Sequence, residues 1–333
     1  MKVSIIGGGS WGTTLAQVLS DNGHDVLIRD INSDFVNKIN TTHSHPFFDV
    51  VIPANIKATL DLKEACDHSN VLILCVPTKV MRNVLVEMNE LITEKKTFVN
   101  VSKGIEPNTS YRVSEIVDEV ISKENIEGYV VLSGPSHAEE VILRKLTSLV
   151  AASKNDTLAK NVQELFNNDQ YLRVYTSDDV IGVETGGAIK NAIAIVSGVA
   201  TGMGLGENAR AFLISRGLKE IVSIVTALGG SMQTAYGLSG VGDLIVTASS
   251  MNSRNFQCGL KLGGGMNVDD AIGSINQSVE GVRAIFAARE IGIKYNLELP
   301  IINTAYKVVN NEINAKDALS ELLQRELKTE KYW

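Results

Sequence analysis

Short apolar runs alternate with amphipathic stretches through the first half of the chain. Near residue 178 that alternation gives way to helical periods alone. The apolar runs fall at 2–6, 26–29, 71–76, 97–102, 129–133, 147–152 and 171–175. Val71-Leu72-Ile73-Leu74-Cys75-Val76 is typical: too short for a helix, and without the polar alternation of a half-exposed strand. Such runs predict strands covered on both faces. Between them, apolar spacings near 3.6 predict helices at 10–21, 33–41, 78–92, 109–122, 136–143 and 156–167. Strand–helix alternation of this kind predicts an α/β fold with a doubly wound, mainly parallel sheet. From Val180 onward almost no strand candidate remains, and Ile189, Ile193, Val196 and Ala200 share one helix face. The expected organisation is a sheet domain over 1–178 followed by an all-α domain over 179–333.

The first strand runs directly into Gly7-Gly8-Gly9-Ser10-Trp11-Gly12, and Leu15, Val18 and Leu19 follow on one helix face. Gly7, Gly9 and Gly12 stand at the first, third and sixth positions. There they permit a tight turn, close approach to a pyrophosphate and packing of helix on strand. The first-turn N–H groups and the dipole of the new helix then hold phosphates. The second strand ends at Arg29-Asp30, and an acid about 20 residues past the glycines reads a ribose hydroxyl in NAD-binding folds. The sheet domain is thus expected to be a Rossmann-type dinucleotide domain. Asp30 favours NAD(H); Arg29, if it faces the ribose, favours NADP(H), so use of both stays open.

A length of 333 residues suits two cores, and 44% apolar with 21% charged residues is ordinary globular composition. The net charge of −7 argues against nucleic acid or an anionic membrane as partner. Cys66, Cys75 and Cys258 are far apart and form no CxxC pair, which fits a reducing cytoplasm. No secretory signal is expected at the N-terminus. Two uncharged stretches, 191–206 and 221–242, read as buried helices with turns, because the first is shorter than the roughly 20 residues of a membrane span and glycines break the second. The segment Thr41 to Thr59, with His43, His45, Pro46, Phe47 and Phe48, has no clear period; a flap over a ligand and a plain surface excursion are both open. Tyr332-Trp333 reads equally as an exposed tail or a docking point.

Lysine is the better acid–base candidate. His24 and His68 sit in turns, and His43 and His45 have no third metal ligand nearby, so no metal site is expected. His137 follows Ser133-Gly134-Pro135-Ser136 at a strand end and is a weaker candidate. Lys190 lies in an apolar helix with Gly186, Gly187 and Ala194 as its small neighbours, which leave room for a ligand or a close helix. Burial would favour its neutral amine and so suit it to proton transfer; a lysine snorkelling to water reads equally well. Lys103 follows the fourth strand, at the sheet edge where ligands bind, or is a loop lysine. Asp243, among Gly240 and Gly242, reads as a ligand contact, a turn aspartate or an N-cap. Ser253-Arg254-Asn255 gathers hydroxyl, guanidinium and amide at a helix start, a phosphate-binding set or a simple cap.

Together these stretches resemble the bacterial NAD(P)-dependent glycerol-3-phosphate dehydrogenases, along essentially the whole chain. Gly7 to Gly12, Ser102-Lys103-Gly104, Ser133 to Ala138, Gly186 to Asn191, Gly240 to Leu244, Ser253-Arg254-Asn255 and Val279-Glu280-Gly281 carry the resemblance. It implies interconversion of dihydroxyacetone phosphate and sn-glycerol 3-phosphate, with supply of phospholipid synthesis and commonly a homodimer. It implies Lys190 as the acid–base residue. It also implies Lys103, Gly134, Ser136, Asp243, Ser253, Arg254 and Asn255 at the substrate, and Ser10, Trp11, Lys103, Ala138, Arg254, Ser278 and Glu280 at the cofactor. The family often places Trp, a small residue and then Arg or His after the second strand. Here the run is Arg29-Asp30-Ile31-Asn32, which leans the expectation to NADH. Ser278 also departs from the commoner apolar residue.

Overall fold

A buried strand followed by an amphipathic helix recurs from the N-terminus and builds one eight-stranded sheet. The structure, a computed structural model, describes residues 1–275, 278–326 and 329–330. The strands are β1 (Lys2–Ile6), β2 (Asp25–Arg29), β3 (Lys57–Thr59), β4 (Val71–Leu74), β5 (Lys96–Asn100), β6 (Ile126–Ser133), β7 (Thr147–Ala152) and β8 (Leu172–Ser177). Their order is β3-β2-β1-β4-β5-β6-β7-β8. Around them run α1 (Ser10–Asp21), α2 (Ser33–Thr42), α3 (Leu62–His68), α4 (Thr78–Leu91), α5 (Val113–Val120), α6 (Ala138–Val141) and α7 (Asp156–Phe166).

β1 pairs in parallel with β2, Val3 opposite Val26, and with β4, Ser4 opposite Leu72. The chain thus winds outward to β3 and then crosses back past β1 to β4. That makes the carboxyl ends of β1 and β4 the point where the strand order reverses and a ligand crevice opens. Successive strand residues feed opposite layers. Val3, Ile5, Ile28 and Ile73 pack with Leu15 and Leu19 of α1, whereas Ile6, Leu27, Leu72 and Leu74 pack with Ala65, Met81, Leu85 and Ile116. One pairing departs from the parallel rule: β7 runs antiparallel to β6, Val131 opposite Ala152. The intervening α6 has four residues, too few for a crossover helix, so the chain returns beside the strand it left.

The hydrophobic pattern does not announce β3 or α3, because three residues and seven residues are too short to show a period. The expected strands 71–76 and 97–102 end earlier, at Leu74 and Asn100. Their last residues leave the ladder at the carboxyl edge, where the Ser102 hydroxyl donates to the Val76 carbonyl at 2.7 Å. The segment after α2 is anchored: Ile52 and Ile56 are buried in the sheet core.

After β8 every regular element among the described residues is a helix. They are α8 (Val180–Gly202), α9 (Gly206–Ala227), α10 (Met232–Ala235), a π-helical turn over Leu238–Gly242, α11 (Asp243–Ser249), α12 (Arg254–Gly263), α13 (Val268–Gly273), α14 (Gly281–Lys294), α15 (Pro300–Val309) and α16 (Ala315–Leu323). α8 is long and apolar enough to cross a membrane, yet 89% of its most apolar window is buried in the protein. It crosses α12 backbone to backbone: a Cβ on Gly198 would lie 2.2 Å from the Phe256 carbonyl oxygen, and one on Gly259 2.0 Å from that of Ile195. The stretch 221–242 is broken between α9 and α10. The chain divides into two compact units, Met1–Glu106 with Tyr111–Val180, and Pro107–Ser110 with the chain from Ile181 onward.

Candidate functional site

In the first unit the glycine turn is shaped by backbone contact. Gly7 has φ +115°, and a Cβ there would lie 2.6 Å from the Cys75 carbonyl oxygen. A Cβ on Gly12 would lie 1.9 Å from the Gly7 carbonyl oxygen. Gly9 is the N-cap of α1 and makes no side-chain cap bond, and the space where its Cβ would stand is open. As a glycine, the N-cap residue offers the first-turn N–H groups of α1 no capping side chain of its own. Ser10 is buried at the first helical position, and Trp11 packs half-buried on the sheet core. A bare turn beside an uncapped helix start is what a dinucleotide pyrophosphate needs.

The carboxylate of Asp30 is held from two sides. Its Oδ2 accepts from the Gly8 N–H at 2.6 Å and its Oδ1 from the Asn32 N–H at 2.8 Å. Asp30 shares its strand face with Ile28, next to Gly8. Arg29 shares its face with Leu27, on the side that packs Cys66 of α3. Strand alternation therefore sends Arg29 away from the glycine turn.

At the carboxyl edge of β5 and β6, the Lys103 ammonium donates to the Gly134 carbonyl at 2.9 Å, and the Ser136 hydroxyl donates to the same oxygen at 3.1 Å. Ala138 opens α6, buried against α1, with the Thr14 hydroxyl at 3.5 Å from its carbonyl. His137 takes the N-cap position of α6 without a side-chain cap bond.

The helical unit supplies a charge pocket. Lys190 on α8 donates to Asp243 Oδ1 at 2.7 Å and to Thr247 Oγ1 at 2.5 Å, and Thr247 donates to the same Oδ1 at 3.1 Å. The side chains of Lys190 and Asp243 are 5% and 2% exposed, so Lys190 does not snorkel to water. Burial by itself works against the ammonium, and the carboxylate of Asp243 at 2.7 Å offsets that cost. Asp243 arrives there from the π-helical turn, a distortion common at functional sites. The small residue at Gly186 admits that turn: its Cβ would lie 3.4 Å from the Ser239 carbonyl oxygen.

Ser253 caps α12, its hydroxyl accepting from the Phe256 N–H at 3.2 Å. Arg254 is the first helical residue and half-buried. The Asn255 amide donates to Asn191 Oδ1 at 3.0 Å and accepts from the Gly281 N–H at 2.8 Å. Asn255 thus ties the start of α12 to the residue after Lys190 and to the start of α14, where Glu280 stands at the N-cap, 3.7 Å from Arg283. Ser278 is exposed. Tyr332 and Trp333 lie outside the described residues. No group of three metal-ligating side chains occurs among the described residues.

Two members of this pocket carry no role in the sequence reading. Thr247 stands four residues after Asp243 on one helix, a spacing that places both on the same face. Asn191 sits beside Lys190 in a quoted motif, but its bond to Asn255 joins positions 64 apart in sequence and shows no local pattern.

The profile of the NAD-dependent glycerol-3-phosphate dehydrogenase N-terminus matches residues 2–159, and that of the C-terminus matches 179–320. A glycerol-3-phosphate dehydrogenase (NAD(P)+) of Acholeplasma laidlawii is 59% identical over 330 residues, covering 99% of each chain. One from Phytoplasma mali is 47% identical over 331 residues, again with 99% of each covered. The crystal structure of a Coxiella burnetii glycerol-3-phosphate dehydrogenase superposes with a TM-score of 0.92 at 33% identity, over 97% of this chain and 99% of that one.

Proposed function

The chain belongs to the NAD-dependent glycerol-3-phosphate dehydrogenase family, and from that membership we propose how its own residues carry the reaction. It is an NAD(P)-dependent oxidoreductase that interconverts dihydroxyacetone phosphate and glycerol 3-phosphate. The bound dinucleotide supplies a hydride to the carbonyl carbon. Lys190 gives a proton from Nζ to the carbonyl oxygen, so that one hydride and one proton complete the alcohol. Asp243 orients the ammonium and balances its charge, and Thr247 fixes the position of Nζ. Lys103 adds positive charge where the alkoxide develops. Arg254 holds the substrate phosphate by charge-assisted hydrogen bonds, with Ser253 and the first-turn N–H groups of α12. Asn255 keeps a second amide N–H beyond the one given to Asn191. Gly134 and Ser136 line the substrate. Ser10, Trp11, Ala138, Ser278 and Glu280 contact the cofactor together with Lys103 and Arg254.

The sheet unit, up to about residue 178, takes the dinucleotide, and the helical unit from 179 takes the substrate. NADH is preferred over NADPH. Asp30 is the residue beside the glycine turn, where it bonds a free ribose hydroxyl and repels a 2′-phosphate, while Arg29 lies on the opposite strand face. The enzyme works in the cytoplasm as a homodimer, without membrane insertion or nucleic acid, and feeds phospholipid synthesis. Its free thiols and net charge of −7 support that setting.

The observation that carries the assignment of roles is the buried Lys190–Asp243–Thr247 cluster. The test is oxidation of NADH and of NADPH, followed by absorbance, with dihydroxyacetone phosphate and with unphosphorylated dihydroxyacetone. Turnover confined to the phosphorylated ketone and faster with NADH is expected. Equal turnover of the unphosphorylated ketone would remove the phosphate role of Arg254.

A further inference from the structure

Three consecutive glycines form the most flexible stretch a chain can have, and a ligand that binds there must order it. In this structure the middle glycine is already held on both its N–H and its C=O. The Gly8 N–H is bound by Asp30 at 2.6 Å. The Gly8 carbonyl accepts from the Thr13 hydroxyl at 3.1 Å and meets Nε2 of His45 at 2.9 Å. A Cβ on Gly8 would lie 2.9 Å from Ile28, so the peptide is also pressed on β2.

His45 is 2% exposed and belongs to the segment between α2 and β3. The Phe47 N–H donates to its Nδ1 at 3.3 Å, which leaves Nδ1 bare and puts the ring proton on Nε2, facing the Gly8 carbonyl. The rings of Phe35, Phe47 and Phe48 lie 4.8, 5.2 and 5.7 Å from its centroid and fix its plane. The segment is secured further along, where the Ile52 N–H donates to the His43 carbonyl at 2.8 Å and Ile52 and Ile56 enter the core. Burial lowers the imidazole below its ordinary range, in keeping with a neutral ring; Asp30 and Lys38 are the charged groups that act on it.

We propose that His45 is a positioning residue of the dinucleotide turn, holding the Gly8 peptide in the conformation that receives the cofactor. Asp30 holds the N–H of Gly8 and His45 its C=O, so the two peptide units that flank the Gly8 Cα are both fixed, and the ordering cost is met during folding and not on binding. The inference rests on the turn being the NAD(H) site. It predicts a loss of cofactor affinity without a matching loss of chemistry.

The test is NADH affinity by calorimetry, with kcat at saturating NADH, for the full-length protein and for His45→Leu and His45→Gln. Leucine keeps the apolar packing and removes the donor; glutamine places an amide N–H at about the reach of Nε2. His45→Leu should weaken NADH about fivefold to tenfold, the worth of one buried hydrogen bond, while kcat moves much less. His45→Gln should bind within about twofold of the parent, as its donor is restored. If His45→Leu does not fold, His45→Asn takes its place, since its amide falls a methylene short of the carbonyl and should bind as weakly. Unchanged affinity in the donor-less variant, or glutamine as weak as leucine or asparagine, overturns the proposal. Failure of the unsubstituted protein to bind NADH would instead overturn the reading of the turn.

Discussion

In the proposed function, ligand charge is met in two ways in this chain. After β1 it is met by backbone: a turn without side chains and an uncapped helix start. In the helical unit it is met by side chains: a lysine, an aspartate and a threonine within 3.1 Å of one another, buried between α8 and α11. The first arrangement is vulnerable to added atoms and the second to removed ones. That difference makes the two regions separable by substitution.

The largest effect is expected from Lys190→Met, which should lower kcat about a thousandfold and leave NADH affinity unchanged. It should also destabilise the fold by about 3 kcal/mol, because Asp243 is left buried without its counter-charge. Adding Asp243→Asn should restore the melting temperature and not the turnover. Recovery of both would show that the pair is structural only.

Next is Gly12→Ala. Its Cβ would stand 1.9 Å from the Gly7 carbonyl oxygen, so the turn must open. NADH affinity should fall about a hundredfold, equivalent to the upper range of overpacking costs. Binding at the parental level would mean that the turn's shape does not govern the cofactor.

Glu220 sharpens the contrast, because it joins a side-chain charge to backbone donors. Its carboxylate, 4% exposed, accepts from the Ile301 and Ile302 N–H groups at 2.7 and 3.0 Å, at the start of α15. Burial raises it to about 7 despite those bonds. A raised folded-state value means that its contribution is present at low pH and is lost as pH climbs from about 4.5 through 7. Between pH 5 and pH 8 the native protein should lose about 2 kcal/mol that Glu220→Gln does not lose. Parallel stability curves for the two would show that the backbone donors fully compensate burial.

The smallest effect is expected at Asp30. Asp30→Ala should shift the NADH-to-NADPH ratio of kcat/KM about tenfold toward NADPH, by removing one hydrogen bond and one repulsive charge. No shift would show that Arg29, not Asp30, reads the ribose.

Much of the fold was legible as pattern. Strands with both faces covered are almost wholly apolar, and β1, β4, β7 and their neighbours could be read from that alone. β3 was not legible: three residues carry no period, and their pairing with Leu27, Ile28 and Arg29 is a long-range event. Candidate site chemistry could be read where it is concentrated in a short stretch, as at Gly7 to Gly12 and Ser253-Arg254-Asn255. It was not legible where a role depends on a distant partner. Asn255 spends bonds on Asn191 and Gly281; Thr247 completes the lysine pocket; His45 reaches the Gly8 carbonyl from 37 residues away.

The sequence by itself determined the layered sheet, the change to helices, the glycine turn and the choice of Lys190 and Asp243 as candidates. These depend on local periodicity, on glycine's missing Cβ and on residue type, all of which are present in a linear string. Only the tertiary structure decided that Lys190 is paired and not snorkelling. It also decided that Asp30, just past β2, binds the Gly8 N–H, that the segment after α2 is anchored on the glycine turn, and that a carboxylate on α9 caps α15. Each of those outcomes depends on which groups meet in space after the chain has crossed itself, and burial and hydrogen bonding take their values only there.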